Sequence, residues 1–478
     1  MKMTAEDIAF LSAIDTAKAI RARELSPVEV VQAYLARIER LDPTLRAYVT
    51  VTAEAALMAA REKERVLLSG AKCGPLFGVP MAVKDQFWTR GTLTTNGSRA
   101  YRDFLPTEDA TVVARLAQAG AILLGKLAMS ELALGGTRAP AWGITRNPWD
   151  LERTPGESSS GSGAALAAHL CAASVGEDTG GSGRVPAAYC NAVGLRPTYT
   201  RVSRHGLMTA CWFLDQAAPM TKTVEDCALV LGVVAGHDAK DPVTSRRAVP
   251  DYSSSLKRGI RGTRVGLIRE LHEHPDVHPE VKRALEAAVD TMRGLGAEIR
   301  DVSIPLIGIA GALYIAIGDT EGAGACDELL RNRSGDLDPA SRTRLQAASM
   351  VPFKVYNRAM KARVLLRRQF IEALSHVDVL LSPTSPYPAP KHVELTAPFV
   401  DSDDLRARFF FRRAYTGSYA IAALPAISVP CGFTSNSLPI GLQIGGRPFA
   451  EETLLRVAHA YEQATPWHLR RAPGALAA

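Results

Sequence analysis

The chain carries the stretch NPWDLERTPGESSSGSGAALAA at residues 147–168, followed closely by GEDTGGSGRVPAAYCNAVGLRPT at residues 176–198. Both segments are rich in glycine and serine and run into stretches that contain several alanines. Loops of this kind expose backbone N–H groups beside a helix, which suits them to hold an anion or the oxyanion of a reaction intermediate. The two loops are therefore the first candidates for a functional site.

Short apolar runs alternate with helical patterns on both sides of these loops. The run Ser26-Pro27-Val28-Glu29 predicts a helix start, with a capping box and a proline at the first helical position. The run PLFGVPMAVK (75–84) predicts a loop that leads into a buried strand, and AILLG (121–125) and RVGLI (264–268) predict strands. This alternation indicates an α/β protein built on a sheet.

Composition is that of an ordinary folded protein, with 47% apolar and 22% charged residues over 478 positions. The net charge of +7 comes from 56 Lys and Arg against 49 Asp and Glu, and no basic block stands out. A diffuse surplus of this size does not favour nucleic-acid binding.

The cysteines and the N-terminus indicate a cytoplasmic protein. The seven cysteines are scattered singly, which is typical of a reducing compartment. Charged residues near the N-terminus exclude the apolar core of a signal peptide. The long uncharged stretch at 414–446 contains three prolines, so it is not expected to be a membrane-spanning helix.

Several chemistries fit Gly- and Ser-rich loops. Tight turns or a phosphate cradle are the simplest interpretations, but neither GxxxxGK[ST] nor GxGxxG is present. A Ser-His-Asp system lacks its GxSxG elbow. Serine with lysine as the base remains, and Lys84 follows the apolar run at residues 79–83. A lysine at the end of a strand is also often a surface residue whose charged end reaches water.

A metal site is not predicted. The segment HEHPDVH at residues 272–278 holds three histidines, but prolines interrupt any helix there and the spacing matches no known ligand pattern. No cofactor is expected.

Together, Lys84, Ser158 and Ser182 resemble the catalytic triad of the amidase signature family. The lysine lies 74 positions before the first serine, which lies 24 positions before the second. The likeness extends over nearly the whole chain and includes, in order, GVPMAVKDQF (78–87), GAILLGKLAMSE (120–131), the two stretches quoted above, LDQAAPMTKTVEDCALVL (214–231) and LPIGLQIGG (438–446).

The resemblance implies one large αβα layered domain with a mixed central β-sheet and a helical cap region. Residues 1–65 are expected to form a helical segment packed on the core. Residues 66–245 are expected to carry the triad. Residues 246–478 complete the same domain, with the helical stretch 305–375 as a substrate cap.

The resemblance also implies roles for the loop residues. Ser182 is the nucleophile, Ser158 follows a cis peptide bond and relays a proton, and Lys84 is the general base. Backbone N–H groups of Thr179, Gly180, Gly181 and Ser182 form the oxyanion hole.

Neighbouring residues are expected to support this site. Ser159 and Asp178 are candidates to bind the Lys84 ammonium and to fix the loop, although turn capping explains both equally well. Arg184 is expected to pair within the loop.

The substrate pocket is predicted from Met129, Glu157 and Gly183. The sequence departs from the family pattern here, because Glu157 stands where glycine is usual, Gly183 replaces an apolar residue and Glu177 replaces a small hydroxyl residue.

The expected function is hydrolysis of an aryl or alkyl amide, or of a carbamate, through an acyl-enzyme on Ser182. Trp212, Phe213 and residues 409–411 suggest a partly apolar pocket. The expected partners are a small-molecule substrate only, with no nucleic acid and no membrane, and a homodimer is left open. The alternative is the glutaminase subunit of a tRNA-dependent amidotransferase, which the ending RVAHAYEQATPWH (456–468) also resembles.

Overall fold

A computed structural model describes residues 3–134 and 141–476. Its centre is a sheet of eleven strands: β1 (Tyr48–Val51), β2 (Pro80–Lys84), β3 (Ile122–Leu127), β4 (Ala173–Glu177), β5 (Val193–Arg196), β6 (Ala217–Thr221), β7 (Arg264–Ile268), β8 (Glu298–Val302), β9 (Val379–Pro383), β10 (Ala426–Phe433) and β11 (Pro439–Gly445).

Helices surround this sheet. They are α1 (Ala5–Phe10), α2 (Ala13–Arg21), α3 (Pro27–Leu45), α4 (Ala53–Leu68), α5 (Thr111–Gln118), α6 (Ser160–Ala167), α7 (Arg184–Tyr189), α8 (Val224–Val234), α9 (Arg269–His272), α10 (Pro279–Gly294), α11 (Ala310–Tyr314), α12 (Thr320–Ala325), α13 (Asp327–Asn332), α14 (Pro339–Ser349), α15 (Phe353–His376), α16 (His392–Thr396), α17 (Ser402–Leu405), α18 (Arg412–Ile421), α19 (Glu451–Gln463) and α20 (Pro473–Leu476).

The sheet is mixed, as predicted. Its strand order is β1-β3-β2-β4-β6-β5-β10-β11-β9-β7-β8. Strand β2 runs parallel to β3 and β4, and β7 runs parallel to β8 and β9, whereas β10 and β11 form an antiparallel pair. Every residue of β2, β4, β6, β9 and β11 is buried, so helices cover both faces of the central strands. The α/β layered class is confirmed.

Local signals predicted several elements well. Ser26 accepts hydrogen bonds from the N–H groups of Val28 and Glu29, so the predicted capping box starts α3. The strands predicted at 75–84 and 264–268 appear as β2 and β7.

The N-terminal segment is less purely helical than expected. Strand β1 lies within residues 1–65 and pairs antiparallel with β3 at the edge of the main sheet. Its residues, YVTV, are β-branched or aromatic, which favours a strand. The first segment therefore adds a strand to the sheet as well as packing helices on it.

Residues 305–375 are helical, as expected, and include α11 to α15. Within the described residues, one helical stretch, Pro305–Ala325, is long and apolar enough to cross a membrane. Half of its apolar window is buried inside the fold.

The buried centre of the sheet gives a first prediction. Leu442 in β11 has no exposed side-chain surface. We expect Leu442→Ala to lower the free energy of unfolding by about 2–5 kcal/mol, because it removes buried contacts and leaves a cavity. Leu68, at the end of α4, is 65% exposed, and Leu68→Ala should change stability by no more than about 0.5 kcal/mol. Urea unfolding followed by circular dichroism measures both, and equal effects would contradict the placement of Leu442.

Candidate active site

Lys84 is the last residue of β2, and its side chain is fully buried. Its Nζ donates a hydrogen bond to Ser158 Oγ at 2.7 Å. The same nitrogen forms an ion pair with Glu177 Oε2 at 2.8 Å, and Glu177 is equally buried. The peptide bond between Glu157 and Ser158 is cis, as predicted. Lys84, at the end of strand β2, thus lies within hydrogen-bond distance of Ser158.

Ser182 lies in the loop between β4 and α7 and is partly exposed. It lines one cavity together with Ser158, Gly180 and Gly181. Lys84 reaches this cavity only through Ser158, to which it is hydrogen-bonded. The structure therefore brings the three predicted catalytic residues to one place, in the order lysine, serine, serine.

The backbone of this loop offers fewer free donors than predicted. The N–H of Gly181 donates to Asp178 Oδ1 at 2.9 Å, so it is not free to bind a substrate oxygen. Within residues 3–134 and 141–476, no protein group accepts a hydrogen bond from the backbone N–H of Thr179, Gly180 or Ser182. The candidate oxyanion donors are therefore these three residues, and the expectation for Gly181 is corrected.

Glycine is required in the loop for a different reason. A Cβ on Gly180 would lie 2.4 Å from the ring of Tyr314. Gly181 has φ +128°, and a Cβ there would lie 2.2 Å from Thr416 Oγ1. These approaches let α11 and α18 close onto the loop, which a larger residue would prevent.

Asp178 is the buried anchor of the loop. Arg184 donates to both of its carboxylate oxygens at 2.9 Å, and Arg196 Nη1 lies 3.3 Å from Oδ1. Burial alone would raise the pKa of Asp178, but the two guanidinium groups and the Gly181 N–H hold it well below its usual range. Asp178 thus fixes the loop, which is one of the two roles predicted for Ser159 and Asp178.

Arg184 pairs within the loop, as predicted, and also reaches beyond it. Its Nη1 donates to Gln443 Oε1 at 2.7 Å, and its Nη2 donates to the carbonyl of Thr416 at 2.9 Å. The catalytic loop is thereby tied to β11 and α18.

In the described part of the chain, no hydrogen bond joins Ser159 to Lys84. Its Oγ donates to the carbonyl of Glu177 at 3.1 Å and accepts from the Glu177 N–H at 3.3 Å. It therefore supports the strand end that carries the lysine's carboxylate partner, and the expected bond to the ammonium is corrected.

Of the predicted pocket residues, Glu157 lines the cavity, whereas Met129 and Gly183 are not among its lining residues. Met129 is buried in a small cluster with Ala133 and Ala210. Gly183 is buried too, and a Cβ there would lie 2.7 Å from the Cβ of Ala218. Both expectations are corrected, because these residues pack against protein rather than against the cavity.

The aromatic residues expected in the pocket are also elsewhere. Trp212, Phe213 and residues 409–411 do not line the cavity. Tyr189 and Tyr314 do, together with Arg412 and Arg413 from the start of α18. Tyr189 lies within the motif at residues 176–198 but was not predicted as a pocket residue. No sequence signal indicated Tyr314, Arg412 or Arg413, because they come from helices distant along the chain and follow no motif.

A network of carboxylates lies behind Lys84. Thr179 Oγ1 is within hydrogen-bond distance of Glu177 Oε1 and lies 2.8 Å from Asp215 Oδ1. Burial and the neighbouring Glu177 charge raise the pKa of Asp215 to about 7. The departure at Glu177 was visible in the sequence, but its contact with the lysine was not.

Within the described ranges, no group of three or more His, Cys, Asp or Glu residues is arranged to hold a metal ion. His274, from the segment considered above, stacks on Phe411 at 3.8 Å between ring centroids.

The site defines a class of enzyme. A family model for Amidase matches residues 29–455, and the chain belongs to this family of enzymes acting on carbon–nitrogen bonds.

Individual proteins similar to this chain carry more specific names than the family does. The A subunit of the glutamyl-tRNA(Gln) amidotransferase of Geobacter metallireducens is 43% identical, over 95% of this chain and 97% of the relative. The protein of the same name from Thermosynechococcus vestitus is 42% identical, over 93% and 96%.

Solved structures agree with the fold. The A subunit of the glutamyl-tRNA(Gln) amidotransferase of Thermotoga maritima is similar with a TM-score of 0.82 and 34% identity, over 96% of both chains. A peptide amidase from Stenotrophomonas maltophilia is similar with a TM-score of 0.84 and 32% identity, over 98% of this chain and 99% of that one.

These names contradict one expectation. The sequence predicted a small-molecule amide or carbamate as the only partner, with no nucleic acid and at most a homodimer. The curated relatives are instead named as one component of an amidotransferase for glutamyl-tRNA(Gln). The predicted partners are therefore wrong.

The Asp178 anchor gives a prediction that depends on pH. A carboxyl with a depressed pKa in the folded state stabilises the fold above its unfolded pKa of about 3.9, and this contribution is lost as pH falls below that value. We expect Asp178→Asn to cost about 3–5 kcal/mol at pH 7, because two buried guanidinium groups lose their counter-charge.

The stability difference between wild type and Asp178→Asn should become smaller between pH 4 and pH 2, because protonation of Asp178 then begins to destabilise the wild-type protein as well. Urea unfolding at pH 7 and pH 3 measures the difference. Asp290→Asn is the matched control, since the Asp290 side chain is 74% exposed. A difference that stays constant with pH would contradict the assigned charge state.

Proposed function

We propose that the chain releases ammonia from the side-chain amide of glutamine, as the glutaminase subunit of a tRNA-dependent amidotransferase. The observation that carries this proposal is the buried lysine hydrogen-bonded to Ser158 at the wall of the cavity that Ser182 lines. The names of the curated relatives support the choice of reaction.

The chemistry begins with proton transfer along the two serines. Lys84 Nζ, when uncharged, accepts the proton of Ser158 Oγ, which accepts the proton of Ser182 Oγ. Ser182 Oγ then attacks the amide carbon. The N–H groups of Thr179, Gly180 and Ser182 stabilise the negative oxygen of the tetrahedral intermediate.

The intermediate collapses when the proton returns from Lys84 through Ser158 to the amide nitrogen. The carbon–nitrogen bond breaks, ammonia leaves, and the acyl group stays on Ser182. Water then attacks the acyl carbon, giving its proton to the same relay, and Ser182 regains a proton as the acid leaves.

The charges around the cavity fit an amino-acid amide. Arg412 lies 3.7 Å from Glu157, and Arg344 makes two hydrogen bonds to Asp319 at 2.6 and 2.8 Å. In the described parts of the chain, no carboxylate lies within 4.0 Å of Arg413. Burial, with Arg412 and Arg344 nearby, lowers the pKa of Arg413 to about 10.

Arg413 is thus a cation held in position without a carboxylate in direct contact among the described residues. Its guanidinium lies over the Phe409 ring at 3.9 Å, and its Nη1 donates to the Phe409 carbonyl at 2.6 Å. We assign to it the main-chain carboxylate of glutamine, whose binding would relieve the repulsion among the arginines. Glu157 lines the same cavity and lies 3.7 Å from Arg412.

The helical stretch 305–375 takes the role of a cap in this proposal, since Tyr314 of α11 closes one wall of the cavity. The seven cysteines are free thiols, which is consistent with a reducing cytoplasm.

Ser182→Ala should abolish turnover, because it removes the hydroxyl that forms the acyl-enzyme. Ammonia release from glutamine by the chain, assembled with the other amidotransferase subunits, measures this. Ser162→Ala is the matched control: Ser162 is buried in α6 and its hydroxyl has no hydrogen-bond partner in the structure as described. Its activity should stay within about twofold of wild type.

A fluorophosphonate probe should label Ser182 in the wild-type chain and nothing in Ser182→Ala. Retained hydrolysis by Ser182→Ala would overturn the mechanism. Hydrolysis of anilides with none of glutamine, even in the assembled complex, would overturn the substrate while leaving the mechanism in place.

Arg413→Met should raise KM for glutamine at least tenfold, equivalent to about 1.4 kcal/mol of binding free energy, with kcat changed less than threefold. The effect is mainly on KM because the carboxylate is held equally before and during reaction. Steady-state ammonia release measures both constants. Arg406→Met, at a side chain 74% exposed, should leave both unchanged. A fall in kcat with constant KM would contradict carboxylate binding.

A further inference from the structure

The peptide unit between Gly180 and Gly181 is held at both of its polar ends by side chains. The Gly180 carbonyl accepts a hydrogen bond from Thr416 Oγ1 at 2.7 Å. The Gly181 N–H of the same peptide unit donates to Asp178 Oδ1 at 2.9 Å. These two hydrogen bonds together fix the orientation of this peptide plane.

This peptide unit lies between the two that carry proposed oxyanion donors. The N–H of Gly180 belongs to the peptide unit before it, and the N–H of Ser182 belongs to the peptide unit after it. Glycine has more backbone freedom than any other residue, so two consecutive glycines would let the plane between them rotate. Such a rotation would change the backbone angles on both sides, and with them the directions of both donors.

The Gly180 carbonyl needs a hydrogen bond from outside the loop. Within the loop, the Gly181 carbonyl accepts from the Val185 N–H of α7 at 2.7 Å, but this bond does not hold Gly180. Thr416, which lies 236 positions further along the chain, supplies the donor for the Gly180 carbonyl. The loop that carries Ser182 therefore depends on α18 for part of its shape.

Thr416 is itself fixed in place. Its side chain is buried, and its backbone carbonyl accepts a hydrogen bond from Arg184 Nη2 at 2.9 Å. A threonine inside a helix often donates to the carbonyl four residues earlier, whereas Thr416 donates to the loop. Because a carbonyl oxygen only accepts, the direction of this hydrogen bond is unambiguous.

Helix α18 also carries the arginines at the cavity wall. Arg413 and Thr416 both line the cavity, and a spacing of three residues places them on one face of the helix. In the proposed function, one helix thus positions both the cation that binds the carboxylate of glutamine and the loop that stabilises the oxyanion.

We propose that Thr416 is a positioning residue, whose hydroxyl holds the Gly180 carbonyl so that the N–H groups on either side keep the direction needed for an oxyanion. Without this hydroxyl, the carbonyl loses its donor and the peptide plane is held at one end only. Misdirected donors weaken the stabilisation of the transition state more than the binding of the ground state. This inference rests on the proposed role of Thr179, Gly180 and Ser182 as oxyanion donors.

The test is the reaction of Ser182 with a fluorophosphonate, measured over a range of probe concentrations. This separates the affinity for the probe from the maximal rate of labelling, and it needs no knowledge of the amide substrate. Thr416→Val removes the hydroxyl at nearly constant shape. We expect the maximal rate to fall about 10- to 100-fold, because the donors lose their alignment, while the affinity changes less than about threefold.

Two further variants separate the hydroxyl from general packing. Thr416→Ser keeps the hydroxyl and should recover most of the maximal rate. Thr221→Val is the matched control, because Thr221 is fully buried in β6 and its Oγ1 donates to the Thr223 carbonyl at 2.8 Å. Its labelling rate should stay within about twofold of wild type.

Circular dichroism shows which variants fold. If Thr416→Val does not, Thr416→Ser compared with Thr416→Ala isolates the same hydroxyl. A wild-type maximal rate in a folded variant that lacks the hydroxyl, or a loss confined to probe affinity, would overturn the inference. Equal losses in Thr416→Ser and Thr416→Val would overturn it as well. Labelling that persists in Ser182→Ala would instead overturn the proposed function, so the two failures are distinguishable.

Discussion

The active site depends on a buried carboxylate, Asp178, that two arginines hold in its charged form. Arg184 comes from α7 and Arg196 from β5, so one anion connects the loop after β4 to two further elements. Arg184 extends the connection to Gln443 in β11. Because an unpaired charge is costly in the interior, these groups stay together, and the loop that carries Ser182 has little freedom to move.

In this loop, one backbone N–H group holds the loop in shape, and others remain available to bind a ligand. Asp178 accepts a hydrogen bond from the N–H of Gly181 and so fixes the shape of the loop. Within the described residues, the N–H groups of Thr179, Gly180 and Ser182 have no protein acceptor. Donors fixed before the substrate arrives need no rearrangement when negative charge develops, which is the main source of electrostatic catalysis. In the proposed function, a rigid loop and a stable oxyanion site therefore have the same physical origin.

The charges that differ from the family pattern lie on both sides of this rigid centre. Glu177 lies 2.8 Å from Lys84, and Glu157 lies 3.7 Å from Arg412. A relative named for an amidotransferase and one named as a peptide amidase share the fold at similar TM-scores, so the fold alone does not determine the substrate.

From the amino-acid sequence it was possible to predict the α/β class and the buried strands, because hydrophobic periodicity is a local property of the chain. The triad of Lys84, Ser158 and Ser182 was predicted through resemblance to a family. The cis bond before Ser158 was predicted as well, through resemblance.

The packing of distant segments determines the rest of the site. Met129 and Gly183 pack away from the cavity, Arg412 and Arg413 line it, and Glu177 contacts Lys84. Glu177 and Lys84 are far apart along the chain, as are Gly183 and Ala218. Neither periodicity nor spacing encodes which side chains face each other across a folded core, so these contacts became visible only once the sheet and helices were assembled.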